Sequence, residues 1–324
     1  MNLRSACLPC VRPTLTALLA CARPMRVVEV HSALSAMVAQ DTQVVVDGEP
    51  RFFDALWASS LTCSAVHGLP DEELLPRAQR HCLIRQILSC SQKPLIVDGD
   101  TGGTPDELSL EVRILERLGA AGVIVEDKRF PKVNSLTVSG HHRLEAPDRF
   151  AAKLAAGIQA RQSPDFQVIA RIESFIAGAG LQDALGRAEC YLEAGADGLM
   201  IHSKRETPIE ILEFSRHYAQ LCERLGRRAP LVAAPTTYNC IRDAELYAAG
   251  FSIVIHSNHL LLAAYEAMRK TARSILSHDR SLEASASIAP VYDLLSRLEP
   301  SPETYLPAGA LGAGIGSLAE EEGR

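Results

Sequence analysis

No stretch of this sequence approaches the roughly 20 consecutive apolar residues of a bilayer-spanning helix, so no membrane partner is expected. Nor is there an excess of positive charge. The 33 basic residues against 39 acidic ones give a formal charge of −6, which offers no electrostatic reason to expect nucleic acid. A small phosphate-bearing molecule stays open, because it needs only a local positive site. Disorder is excluded by the 47% of hydrophobic residues. The nine cysteines are scattered and make no zinc spacing; Cys7 and Cys10 have a Cys-x-x-Cys gap but no second pair. Leu15 to Cys21 is a short apolar stretch followed by Arg23 and Pro24 rather than a small-residue cleavage site. The expectation is a cytoplasmic protein with reduced thiols. Gly99, Gly102 and Gly103 lack dinucleotide-binding spacing, and no Ser stands in a nucleophile elbow. Cys63 has no His placed by sequence to activate it, and His31, His67, His81 and His217 read as surface or core residues.

What the chain does have is alternation. Short β-branched runs start at residues 26, 53, 94, 122, 167, 198, 231 and 252, and near-continuous apolar strands of this kind belong to a parallel sheet covered by helices. Between them lie amphipathic stretches. Asp106 to Leu118 repeats Leu108, Val112, Leu115 and Leu118 between Pro105 and Gly119; Leu181 to Ala194 and Pro208 to Leu225 follow the same logic. The pattern predicts an α/β protein, a (β/α)8 TIM-type barrel of about 250 residues, with a doubly wound open sheet as the competing architecture.

Barrel chemistry sits at the C-terminal ends of the strands, and polar residues gather there. The strand ends read Trp57-Ala58-Ser59-Ser60, Asp98-Gly99-Asp100, Glu126-Asp127-Lys128, Arg171-Ile172-Glu173, His202-Ser203-Lys204, Pro235-Thr236-Thr237 and His256-Ser257-Asn258. One Asp after a strand is commonly a helix cap. Asp98, Asp100 and Glu126 on adjacent strands repel one another and call for a cation; all-oxygen donors suit Mg²⁺ or Mn²⁺. Arg171 can hold a carboxylate or phosphoryl group by a bidentate contact. The segment from Asp127 to Glu145 carries Lys128, Lys132, Asn134, Ser135, Gly140, His141 and His142 without a helix period. A connection that long reads either as a lid, delivering Lys132, Asn134 and Ser135 on closure, or as a surface loop.

The run Glu126-Asp127-Lys128-Arg129-Phe130-Pro131-Lys132-Val133-Asn134-Ser135-Leu136 resembles the signature loop of the phosphoenolpyruvate mutase family, within the isocitrate lyase superfamily. In order, Leu56 to Leu61, Asp98 to Gly102, Ile169 to Gly178 and Met200 to Lys204 resemble it too, so that the likeness covers roughly residues 26–298. The resemblance implies interconversion of phosphoenolpyruvate and phosphonopyruvate with Mg²⁺, Mn²⁺ being able to substitute. It implies Asp98 as metal ligand, and Asp100, Glu126 and Asp71 as holders of its waters. Trp57, Ser59, Ser60 and Leu61 would surround the pyruvoyl end. Arg171, His202, Asn134 and Ser135 would bind the phosphoryl group, with Lys132 on a gating loop.

The superfamily's lyases carry a catalytic Cys where this chain has Lys132-Val133-Asn134-Ser135. Phosphonopyruvate hydrolase is a closer alternative, but usually has Thr at the position of Asn134. Two departures from the family pattern stand out: Gly103-Thr104 where Tyr-Gly is common, and His256 where Trp is frequent. A barrel that only binds a metal or ligand is a third reading, disfavoured by the retained carboxylates. The expected organisation is an irregular extension at 1–24, the catalytic barrel at 25–280, a helical segment at 281–306 and a disordered tail at 307–324. Two C-terminal helices are expected, Asn258 to about Ser277 and Ile288 to Leu298, and the resemblance implies that the terminal helix is swapped in a homotetramer or homodimer.

Overall fold

A computed structural model describes residues 12–21, 23–137 and 141–298. The chain begins with α1 (Leu15–Ala20), β1 (Met25–Glu29) and α2 (Ala33–Asp41), followed by a hairpin of β2 (Gln43–Val46) and β3 (Glu49–Phe52). Next come β4 (Ala55–Ala58), α3 (Ser60–Ala65), α4 (Arg77–Ser89), β5 (Leu95–Asp98), α5 (Pro105–Leu118) and β6 (Gly122–Glu126). α6 (Pro147–Ala160), β7 (Gln167–Ile172), α7 (Ser174–Ala177), α8 (Gly180–Glu193) and β8 (Gly198–Ile201) continue the alternation. The barrel is completed by α9 (Ile209–Leu225), β9 (Leu231–Ala233), α10 (Asp243–Ala248) and β10 (Ile253–His256). α11 (His259–His278), α12 (Leu282–Ser285) and α13 (Val291–Leu298) follow.

The expected architecture is present. Strands β1 and β4 to β10 pair in parallel and close in the order β1-β10-β9-β8-β7-β6-β5-β4, with no open edge. Side chains alternate between two cores. Val97, Val123, Val125, Val168, Ala170 and Leu199 face the surrounding helices, while Ile96, Ile124, Ile169 and Met200 fill the barrel. Because the side-chain period of a strand is two, the residue two beyond each inward one also points inward. That rule puts Asp98, Glu126, Arg171 and His202 on the inner side at the C-terminal rim. Asp127 then points outward, where it accepts from Tyr191 Oη at 2.8 Å and meets Arg187 at 3.1 Å. It ties β6 to α8 and takes no part in the cavity.

The sequence did not announce two elements. Residues 1–24 were expected to be irregular, yet Leu15–Ala20 forms α1, capped by the Thr14 hydroxyl accepting from the Ala17 N–H at 3.1 Å. Six residues are too few to display a helical period. Leu15 is fully buried in the barrel's inner core, closing its N-terminal end. The β2–β3 hairpin was also unforeseen; its signal is Asp47-Gly48, both with positive φ (56° and 82°), the pair favoured in tight hairpin turns.

The chain divides into two compact units, one ending at Ala263 and one starting at Ala264. In the second, α13 starts at Val291, so Ile288 lies before the helix. Val291, Leu294, Leu295 and Leu298 are exposed along one side of it. Among the described residues, no helix is long and apolar enough to cross a membrane. Cys7, Cys10, Gly140 and the expected tail lie outside the described residues.

At Gly122, the start of β6, an added Cβ would stand 2.6 Å from the Gln167 carbonyl oxygen of β7. Overpacking of this kind costs about 1–3 kcal/mol. Gly122→Ala should therefore unfold several degrees below the wild type in a thermal scan by circular dichroism. Gly186→Ala, whose Cβ meets nothing within 4 Å, should not.

Candidate active site

The inward-facing polar residues line a cavity of about 50 Å³ at the C-terminal rim, room for a few waters at most. Trp57, Ser59, Ser60 and Leu61 form one wall, and Asp71, Asp98 and Glu126 another. Lys132, Asn134, Ser135, Arg171 and His202 also line it, with Thr236, Ser257 and Asn258 at the ends of the last strands. Of the residues to which the family resemblance assigns a role, only Asp100 is missing from the lining. It lies behind Asp98, facing a neighbouring cleft with Arg80, Gly103 and Lys153.

The long connection after β6 is a lid with pinned ends. Glu145 N–H donates to Asp127 O at 2.8 Å and Arg129 N–H to Arg143 O at 2.8 Å, so the chain leaves and rejoins the barrel at one place. Its middle folds inward. Lys132 is 4% exposed, with Nζ 2.9 Å from Asp71 Oδ1, in contact with Asp100, and donating to Ser60 Oγ at 3.1 Å. Asn134 Nδ2 donates to Asp71 Oδ2 at 2.6 Å, and its Oδ1 accepts from the Leu136 N–H at 2.9 Å. A floppy surface loop would bury none of these.

On the opposite wall, Arg171 Nη2 donates to Ser135 Oγ at 2.9 Å and lies 2.8 Å from His202 Nδ1. Burial and the neighbouring guanidinium hold the His202 pKa below its ordinary value. Glu173 and Lys128 stand behind this set. Burial alone would raise the Glu173 pKa, but Arg171, His202 and Lys128 outweigh it and keep the carboxyl ionised.

The carboxylate side decides whether a metal fits. Among the described residues, no three His, Cys, Asp or Glu side chains are disposed to hold one ion directly. A hard cation that keeps part of its water shell asks less: one or two direct carboxylates, with others reached through water. The donor set meets that description. Asp98 Oδ2 accepts from the N–H and Oγ of Ser60 at 3.3 and 3.0 Å, while Glu126 Oε1 is buried without a hydrogen-bond partner. Burial pushes the Glu126 carboxyl up to about 7, against the pull of Lys128, Lys132 and Arg171. The Lys132 ammonium presently supplies positive charge at this place, which is the demand a divalent cation would satisfy.

Two supporting residues escaped the sequence reading. Arg80, in α4, donates to Asp98 O at 3.1 Å and pairs with Asp100; an Arg inside an amphipathic helix carries no mark of that task. Glu173 was visible only as a strand end, although its spacing of two from Arg171 predicts an inward direction. The two departures lie away from the cavity. His256 turns to Asp243 at 3.3 Å, and Gly103 (φ +69°) faces the cleft beside Glu107 and Arg77. Cys63, pushed up to about 12 by burial, is a packed thiol.

Burial raises the Asp100 pKa, but Arg80 and Lys132 outweigh it and hold the carboxyl below its usual range. Arg80→Met leaves a buried carboxylate short of its partner, which costs about 3–5 kcal/mol. A depressed carboxylate contributes stability above its unfolded pKa of roughly 4 and loses it as the pH falls. Urea unfolding should therefore show the full gap between wild type and variant at neutral pH, narrowing below about pH 4.

Comparison with known proteins agrees with the geometry. Residues 15–276 match the family model described as phosphoenolpyruvate phosphomutase. The phosphoenolpyruvate phosphomutase of Tetrahymena pyriformis is 34% identical over 269 residues, covering 83% of this chain and 84% of that one. The crystal structure of the phosphoenolpyruvate phosphomutase from Streptomyces platensis subsp. rosaceus superimposes with a TM-score of 0.80 at 36% identity, over 88% and 93% of the two chains. A phosphonopyruvate hydrolase solved with oxalate and Mg²⁺ gives 0.77 at 33% identity, over the same shares of 88% and 93%. The chain belongs to the phosphoenolpyruvate phosphomutase family.

Proposed function

We propose that the protein is a phosphoenolpyruvate mutase, interconverting phosphoenolpyruvate and phosphonopyruvate by moving a phosphoryl group between oxygen and carbon. The observation that carries this reading is the seated lid. Lys132, Asn134 and Ser135 are locked over a cavity that holds the pyruvoyl wall and the cationic wall together. A loosely bonded phosphoryl group in transit needs surrounding cations and N–H donors more than it needs a base. It also needs water kept out, or it ends as phosphate.

In this assignment Trp57, Ser59, Ser60 and Leu61 orient the pyruvoyl end. Arg171 and His202 hold the phosphoryl group, Asn134 screens it from water, and Ser135 fixes the guanidinium. Lys132 closes the lid by bridging to Asp71. Asp98 would hold Mg²⁺, or Mn²⁺ in its place, with Asp100, Glu126 and Asp71 reaching it through water; the bound ion supplies positive charge against the developing enolate. When phosphonopyruvate reacts, the C–P bond breaks, the electron pair stays on the enolate, and its oxygen takes the phosphoryl group. No proton moves. The barrel is proposed to span residues 25–280, and the exposed apolar residues of α11 (Leu262, Tyr265, Met268) and of α13 favour self-association.

Phosphonopyruvate hydrolysis to pyruvate and phosphate is the second reading, favoured by the likeness to the solved hydrolase. Asn134 in place of Thr supports the mutase. Incubation with phosphonopyruvate and Mg²⁺, followed by phosphorus NMR, should show a phosphoenolpyruvate signal that EDTA abolishes. Free phosphate as the first product would select the hydrolase instead. Asn134→Thr should raise the share of phosphate by about tenfold, the effect of roughly 1.4 kcal/mol between competing transition states.

A further inference from the structure

Three of the cavity's polar side chains share one anion behind them. Glu173 is fully buried. Its Oε1 accepts from Arg171 Nε at 2.5 Å and lies 2.8 Å from His202 Nδ1. Its Oε2 accepts from Ser135 Oγ at 2.7 Å and faces Lys128 Nζ at 3.0 Å. Arg171, His202 and Ser135 line the cavity; Glu173 and Lys128 do not.

We propose that Glu173 is a positioning residue whose carboxylate determines which donor atoms of Arg171 and His202 are left to face the transferring group. The inference rests on the phosphoryl-transfer reading of the cavity. Counting hydrogens makes it specific. A serine hydroxyl has one proton, and Ser135 directs it to Glu173 while accepting from Lys128 Nζ at 2.5 Å and Arg171 Nη2 at 2.9 Å. Ser135 therefore orients the guanidinium and offers no proton to the cavity. Arg171 Nε is committed to Glu173 and Nη2 to Ser135; Nη1, 3.8 Å from Asp98 Oδ2, is left for a ligand. His202 Nδ1 faces both a guanidinium, which only donates, and a carboxylate, which only accepts. The charge-assisted bond to the carboxylate selects the Nδ1–H tautomer and leaves Nε2 on the ligand's side, where it donates to an anionic group as the imidazolium that such an anion favours.

The test uses two probes with Mg²⁺ present: oxalate, which mimics only the pyruvoyl end, and 3-sulfopyruvate, which adds a non-transferable sulfonate where the phosphoryl group would sit. Glu173→Gln should keep oxalate affinity within about threefold and weaken sulfopyruvate by roughly thirtyfold, the worth of one charge-assisted hydrogen bond. Equal weakening of both probes, or of neither, overturns the proposal. If the variant does not fold, nitrogen-15 NMR of histidine-labelled wild type decides. With His202 assigned by difference from His202→Asn, a proton on Nδ1 supports the proposal and a proton on Nε2 alone overturns it. The tautomer is read on the free enzyme, so absence of phosphonopyruvate turnover would sink the proposed activity while leaving this result standing.

Discussion

Carboxylates taken out of water need counter-charge, and at the C-terminal rim of this barrel it arrives from three directions. Arg80 reaches Asp100 from α4 below, Arg171 approaches Asp98 and Glu126 from β7, and Lys132 comes down from the lid onto Asp71 and Asp100. Removing any one partner leaves an ion stranded in low dielectric, a far larger penalty than the net gain of the pair. The lid is therefore not merely draped over the barrel. Its position is written into the electrostatics of the floor, and the same arrangement leaves the cavity room for only a few waters.

The barrel supplies the rigidity this requires. Inward side chains repeat every second residue, so apolar Ile96, Ile124, Ile169 and Met200 form a packed base directly beneath Asp98, Glu126, Arg171 and His202. A polar layer standing on a close-packed apolar one has little freedom to rearrange. Reactive geometry is thus fixed largely by strands, and the Lys132 to Ser135 segment adds its side chains from the connection after β6. The departures at Gly103 and His256 fall outside that layer, which explains how the chain can differ from its family there and keep a complete cavity.

Much of this was legible in the sequence. All eight barrel strands follow from apolar runs, and the rim residues follow from where those runs end. The lid was legible because Asp127 to Glu145 lacks any period. What was not legible has physical reasons. α1 is shorter than two helical turns, so its apolar residues could not display a period. The β2–β3 hairpin announces itself only through Asp47-Gly48 and carries exposed valines instead of an inward–outward alternation. Arg80 is one charge among many on an amphipathic helix, and only three-dimensional closure reveals that it serves a strand-end carboxylate. Glu173 could have been anticipated from its distance of two from Arg171, but nothing in the sequence says that it faces protein donors rather than a ligand.

The central claim is that the seated lid lets a phosphoryl group move between carbon and oxygen without meeting water. A single turnover of phosphonopyruvate with Mg²⁺ in oxygen-18 water, read by mass spectrometry of the phosphorus-containing products, tests it most directly. The account predicts phosphoenolpyruvate whose non-bridging phosphoryl oxygens carry no label. Labelled inorganic phosphate as the first product would contradict it.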